Sequence, residues 1–191
     1  MHVAAALRDS DVPYLLAGSF AIWARGGPAH DTDLDFAVKP DDVQRAIDAL
    51  VAAGMEQKRT PEEWLAKVCD GDVQVDLIFA PKGLEMTDEV IERGEDLEVL
   101  AISTRVMSLE DMLATKLLAL NEHSLDYSPL LQIVRALREQ IDWEAVRGRT
   151  AGSPYAKPFF VLVEELGIAP AVHPAQGRSR VRVVEPARES G

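Results

Sequence analysis

The stretch Gly18–Val38, GSFAIWARGGPAHDTDLDFAV, constrains this chain most, because it demands three backbone regimes in quick succession. Gly18-Ser19 opens a helical pattern in which Ser19 reads as the N-cap and Phe20, Ile22 and Trp23 supply an apolar stripe. Gly26-Gly27-Pro28 stops that helix. An alternation of acidic and apolar residues, Asp33-Leu34-Asp35-Phe36, then predicts a strand over about 33–38, cut off by Lys39-Pro40. Residues two apart in a strand share a face, so Asp33 and Asp35 project together with Cα atoms about 7 Å apart. A glycine, a helix start and paired carboxylates together suggest a site for a metal and a nucleotide.

The flanking sequence supplies elements to hold this unit. Residues 3–9 form a short helical pattern, and Tyr14-Leu15-Leu16-Ala17 reads as a buried strand that delivers Gly18 and Ser19. Asp41 and Asp42 sit in the first turn of a second helix, with Val43, Ile47, Leu50 and Val51 as its buried face. Residues 64–69 and 73–80 predict two strands joined through Asp70-Gly71-Asp72, a hairpin expected to pair with the Asp33 strand. A short helix is expected over 87–94, then irregular or edge strands over 97–106. From Ser108 the period becomes helical, with Ser108 and Asp111 spaced as a capping box and Leu109, Met112, Leu113, Leu117, Leu118 and Leu120 on the apolar face. Further helix starts fall at Ser128-Pro129, Asp142 and Ser153-Pro154.

This order predicts an α+β fold: a small mixed β-sheet core with flanking helices over 1–107, and a C-terminal helical bundle packed on it over 108–170. Residues 171–191, polar and with four arginines, are expected to be a mobile tail.

Asp76 adds a third acid. It lies inside an otherwise apolar strand, where an unpaired carboxylate carries a large desolvation cost, so something must offset it. Three carboxylates on neighbouring strands make an all-oxygen site suited to Mg²⁺, and a two-ion version would hold metals roughly 3.5–4 Å apart. A solvated strand face would also explain Asp33 and Asp35, and a salt-bridged core acid would explain Asp76. Phosphates need donors as well. Ser19 and the backbone beside Gly18 can supply them, and Lys116, within an apolar helical run, either snorkels to solvent or reaches the phosphates. Asp31 is read as a loop residue, and His30 is given no role.

The formal charge of −12 argues against a surface coated for nonspecific nucleic-acid binding. The charge is uneven: residues 1–134 hold 11 Lys/Arg against 25 Asp/Glu, a balance of −14, whereas residues 135–191 hold 9 against 7, a balance of +2. A polyanion would therefore lie against Arg135, Arg138, Arg147, Arg149 and Lys157, unless these form an ordinary solvated face. No apolar run reaches membrane-spanning length, the first residues lack a secretory pattern, and Cys69 is alone, so a cytoplasmic location without membrane contact is expected.

Gly18-Ser19, then about a dozen residues, then Asp33-Leu34-Asp35 resembles the signature of the nucleotidyltransferase superfamily with a DNA polymerase β-like fold. Ser108-Leu109-Glu110-Asp111 opening a helix that carries Lys116, followed by Asp126-Tyr127, is most similar to AbiEii/MenT-type toxin nucleotidyltransferases. The resemblance covers roughly residues 12–168. It implies two Mg²⁺ ions and transfer of NMP from an NTP with release of pyrophosphate. It further implies that Asp33 and Asp35 bind metal, that Asp76 binds metal or acts as base, and that Gly18, Ser19 and Lys116 hold the nucleotide. Asp126 falls where such toxins often have a site residue, although Tyr127-Ser128-Pro129 departs from their usual sequence. The acceptor it points to is an RNA 3′ end, tRNA, with a cognate antitoxin as a further partner. The alternatives are a small molecule such as an aminoglycoside, a protein acceptor, or a catalytically silent member that binds a nucleotide or partner.

Overall fold

Seven strands form one mixed sheet in the computed structural model, which describes residues 2–29 and 33–171. They are β1 (Tyr14–Ala17), β2 (Leu34–Val38), β3 (Glu56–Lys58), β4 (Leu65–Asp70), β5 (Val73–Ile78), β6 (Glu95–Val99) and β7 (Ile102–Val106), in spatial order β3-β4-β5-β2-β1-β7-β6. The α-helices among the described residues are α1 (His2–Asp9), α2 (Gly18–Ala24), α3 (Val43–Ala52), α4 (Asp88–Glu92), α5 (Leu109–Ala119), α6 (Ser128–Leu137), α7 (Trp143–Thr150) and α8 (Ala156–Glu165). The expected α+β architecture is present. The mobile tail expected beyond residue 170 lies, from residue 172 on, outside the described residues, as do His30 and Asp31.

The β4–β5 hairpin closes through a two-residue loop, Gly71-Asp72, with Asp70 opposite Val73 and Gly71 at φ +61°. Glycine meets the positive φ that such tight hairpins require. β5 then runs parallel to β2, so the expected partnership of this hairpin with the Asp33 strand is realised. β1 lies antiparallel to β2 on the other side.

Two regions of the sheet depart from expectation. Residues 95–106 form a regular antiparallel hairpin, and β7 lies inside the sheet, parallel to β1, where irregular or edge strands were expected. Its turn, Leu100-Ala101, has φ of 50° and 63° without a glycine, asparagine or aspartate to announce it. β3, Glu56-Gln57-Lys58, has no apolar pattern at all and joins the edge through backbone pairing with β4.

Helix boundaries show smaller corrections. α2 begins at Gly18 itself, so Ser19 is its second residue and not its cap: the strand turns into the helix with no residue between them. The buried face of α3 is Ala46, Ile47 and Leu50, whereas Val51 is 46% exposed. Ser108 caps α5 as expected, its Oγ accepting from the Asp111 amide at 3.1 Å, and Asp142 caps α7 by accepting from the Ala145 amide. α6 has Tyr127 rather than Ser128 at its cap position. Ser153 accepts from the Tyr155 and Ala156 amides ahead of α8.

α1 packs on α3, α3 on β3 and β4, and α2 on β1 and β2. The buried apolar residues form one cluster running from Val3 to Ala169, which joins Phe36, Val38 and Leu77 of the sheet to Leu113, Val134 and Phe159 of the later helices. Polar clamps reinforce it. Arg25, at the end of α2, reaches Glu95 at 3.1 and 3.2 Å and the Met107 carbonyl at 2.9 Å.

Candidate active site

Strand register builds the site. Ala17 of β1 is opposite Asp35 of β2, Asp35 is opposite Asp76 of β5, Asp76 is opposite Lys67 of β4, and Lys67 is opposite Lys58 of β3. Register partners share a face, so two carboxylates and two lysines form one row across the sheet. Gly18 directly follows the end of that row. A Cβ on Gly18 would lie 1.7 Å from Asp35 Oδ2, and its φ is +65°. Only glycine satisfies both the turn and the approach to the carboxylate.

The Asp35 carboxyl is pushed up to about 6. Burial is the main cause, and the Asp76 and Asp33 charges add to it, while Lys116 and Lys67 pull the other way. Asp76 is 8% exposed and receives both hydrogen bonds from Lys67 Nζ, at 3.0 and 3.2 Å. Gln74 Nε2 donates to Asp33 Oδ2 at 3.2 Å. The buried anion that called for compensation thus has a cationic partner one strand away.

A cleft of about 730 Å³ opens against this row. Gly18 and Asp35 line it from the sheet, Met112 and Lys116 from α5, and Trp64 and Lys82 from connecting segments. Lys116 is exposed, in keeping with a side chain that faces the cleft rather than the core. Trp64 was expected inside a strand; it precedes β4, is 44% exposed, and its carbonyl accepts from the Phe79 and Ala80 amides. Its backbone is held while its ring is open to the cleft.

The cleft brings together Gly18, Asp35 and Lys116; Asp76 and Asp33 lie beside Asp35 without lining the cleft, and Ser19 follows Gly18 in the first turn of α2. Asp126 is not among the cleft-lining residues. Its Oδ1 accepts from the Ser128 amide at 2.8 Å, and that backbone bond holds its carboxyl below the usual range. Lys67, Gln74 and Trp64 went unseen in the sequence. Lys67 carried a usable signal: it stands three residues before Asp70 as Asp76 stands three after Val73, so a two-residue hairpin loop makes them face.

The donor chemistry suits a hard divalent cation. Asp33 and Asp35 offer carboxylate oxygens, and Asp35 is raised by partial burial and then by its acidic neighbours. Among the described residues no group of three acidic, His or Cys side chains is arranged to hold a metal ion, and Asp76 is engaged by Lys67. Asp33 and Asp35 are thus the carboxylates that would hold such an ion, with Asp76 already partnered.

Residues 33–153 match the family described as "Nucleotidyl transferase of unknown function (DUF2204)", and the chain belongs to it. The match takes in Asp33, Asp35, Asp76 and Lys116 and starts beyond Gly18 and Ser19. The chain is thus an enzyme of the nucleotidyltransferase class. No curated protein matches it in sequence. Its fold is similar to that of the antibiotic-resistance factor ANT(2'')-Ia in solution, at 15% identity and a TM-score of 0.60 over 87% of this chain and 94% of that one. It is also similar to crystalline ANT(2'')-Ia in complex with adenylyl-2''-tobramycin, at 14% identity and a TM-score of 0.59 over 82% and 94%. No helix among the described residues is long and apolar enough to cross a membrane.

Proposed function

We propose that this enzyme transfers a nucleoside monophosphate from an NTP to an acceptor hydroxyl, with Mg²⁺ held by Asp33 and Asp35. The observation that carries this reading is the half-buried Asp35, raised to about 6, in contact with Gly18 and facing a cleft that Lys116 also lines. The cation, when bound, neutralises phosphate charge and stabilises the in-line displacement. Lys116 attracts the triphosphate from the opposite wall, and the backbone at Gly18-Ser19 approaches it closely because no Cβ intervenes. The acceptor oxygen bonds to Pα as the Pα–O–Pβ bond breaks, and pyrophosphate leaves with that electron pair. Asp76 serves as third ligand or as the base that takes the hydroxyl proton.

For the acceptor we favour a small hydroxylated molecule, cationic in keeping with the charge of −12. An RNA acceptor, to which the toxin resemblance points, would meet the C-terminal cations, and three of those five are engaged internally. Arg147 pairs with Glu164 and lies over the Phe160 ring, Arg149 pairs with Asp111, and Arg138 with Glu139. An aminoglycoside-like amine is compatible with the ANT(2'')-Ia likeness in fold. An RNA 3′ end, as in toxin–antitoxin systems with an antitoxin partner, is the second reading, since Arg135 and Lys157 stay exposed.

Incubation with Mg²⁺, each labelled NTP in turn, and an aminoglycoside panel, total tRNA or cell lysate shows which acceptor gains label. Label on the small amine supports the first reading; label on tRNA transfers the case to the second. No NTP consumption with any acceptor overturns the enzymatic assignment to this site. Asp33→Asn with Asp35→Asn removes several kcal/mol of transition-state stabilisation, so transfer falls roughly 10³-fold or more while the circular-dichroism spectrum is unchanged.

A further inference from the structure

Lys67 is the least expected member of the charged row. Its ammonium meets both oxygens of Asp76, at 3.0 and 3.2 Å, from the directly opposed position on β4. Its side chain is largely withdrawn from solvent, at 23% exposure. Lys58, the next cation in the row, is turned to Glu56 at 2.7 Å, which leaves Asp76 to Lys67. An ammonium bonded to both oxygens of a carboxylate occupies the lone pairs that a metal would use. It also repels any divalent ion that approaches the same group.

We propose that Lys67 is a positioning residue that stands in for a cation at Asp76 in the resting enzyme, so that Asp76 joins the metal site only when Lys67 gives way. This rests on the nucleotidyl-transfer reading, in which Asp33 and Asp35 hold the first ion. Without Lys67, the half-buried Asp35 and the buried Asp76 would face each other on adjacent strands, with Lys116 acting on Asp35 and no ammonium bonded to Asp76. With it, the pair is tolerable before substrate arrives, at the expense of metal affinity. A triphosphate entering from the Lys116 side brings negative charge that offers the ammonium a second partner, and the vacated oxygens then face the site.

The test is Mn²⁺ binding followed by electron paramagnetic resonance, without nucleotide, for the wild type, Lys67→Met, Lys67→Gln, Lys67→Arg and Asp33→Asn/Asp35→Asn. Lys67→Met and Lys67→Gln bind Mn²⁺ at least tenfold more tightly than the wild type, and Lys67→Arg restores the wild-type affinity, a rescue that mere space filling does not explain. Thermal melting identifies any variant that has lost its fold, and the Met and Gln variants serve as each other's control. Equal or weaker binding in both folded variants overturns the role of Lys67 if the Asp33/Asp35 variant has lost the ion, since the metal reading then still stands. No Mn²⁺ binding by the wild type or any Lys67 variant overturns the metal reading and this inference with it.

Discussion

Two carboxylates in this protein, the half-buried Asp35 and the fully buried Asp111, have opposite surroundings. Asp111, on α5, is fully buried and saturated. Its Oδ2 accepts from Ser108 Oγ at 2.9 Å and Arg93 Nε at 3.2 Å, and its Oδ1 accepts from Arg93 Nη2 and approaches Arg149 Nη1, both at 3.3 Å. Asp35 faces a second acid across the strand pair, and its burial is uncompensated enough to raise it to about 6. We propose that Asp35, half-buried beside other acids, is the carboxylate that gains from an incoming cation, while the charge of the fully buried Asp111 is matched within the fold. Asp111 joins α4, α5 and α7, so its partners serve architecture.

The largest effect is expected at Asp111. Asp111→Ala leaves two arginines facing each other without their carboxylate and removes the partner of Ser108, at a cost of about 3–5 kcal/mol. Urea denaturation measures this directly. A loss below about 1 kcal/mol would show that the cluster is no clamp and would erase the contrast with Asp35.

Asp35→Asn is expected to do the reverse, abolishing transfer while stabilising the fold. The folded protein holds the Asp35 proton up to about pH 6, whereas the unfolded chain releases it near 3.8, so this residue lowers stability as pH rises between those values. Above pH 7 the full penalty is present, on the order of 2–3 kcal/mol, and the Asn variant is free of it. Melting curves of both proteins should coincide at pH 4 and diverge towards pH 8. Mg²⁺ should raise the wild-type midpoint at pH 8 and leave the variant unmoved. Parallel curves across the range would mean that Asp35 is not held in deficit of charge.

The smallest effect sharpens the same contrast. Arg149→Gln leaves Ser108 and Arg93 on Asp111, so the loss is about 1–2 kcal/mol, well short of that of Asp111→Ala. Its measurement by the same denaturation shows how far the cluster is redundant.

Much of this was legible from local pattern. The Asp70-Gly71-Asp72 loop and the Ser108 cap each encode their geometry within a few residues and are found in the structure, and the strand expected over 33–38 is found from Leu34 to Val38, with Asp33 just before it and without alternating burial. Where local chemistry is silent, the reading failed. Leu100-Ala101 turns at positive φ without a turn residue, and β3 is a polar triplet stabilised only by its neighbour. Asp126 accepts from the Ser128 amide two residues on, a local turn contact ahead of α6.

Taken alone, the sequence determined the strand that carries Asp35, the glycine before it and the lysine helix after it, because strand and helix starts depend on nearest neighbours. It left open which acid would be paired and which would not. That was decided by tertiary structure: parallel pairing of β2 with β5 sets Asp35 beside Asp76, and the hairpin sets Lys67 on Asp76 alone. Glycine at position 18 acquires its necessity from the same packing, since what excludes a Cβ there is the Asp35 carboxylate delivered from another strand. Charge balance in a buried row is a property of distances between strands, and no local pattern carries those.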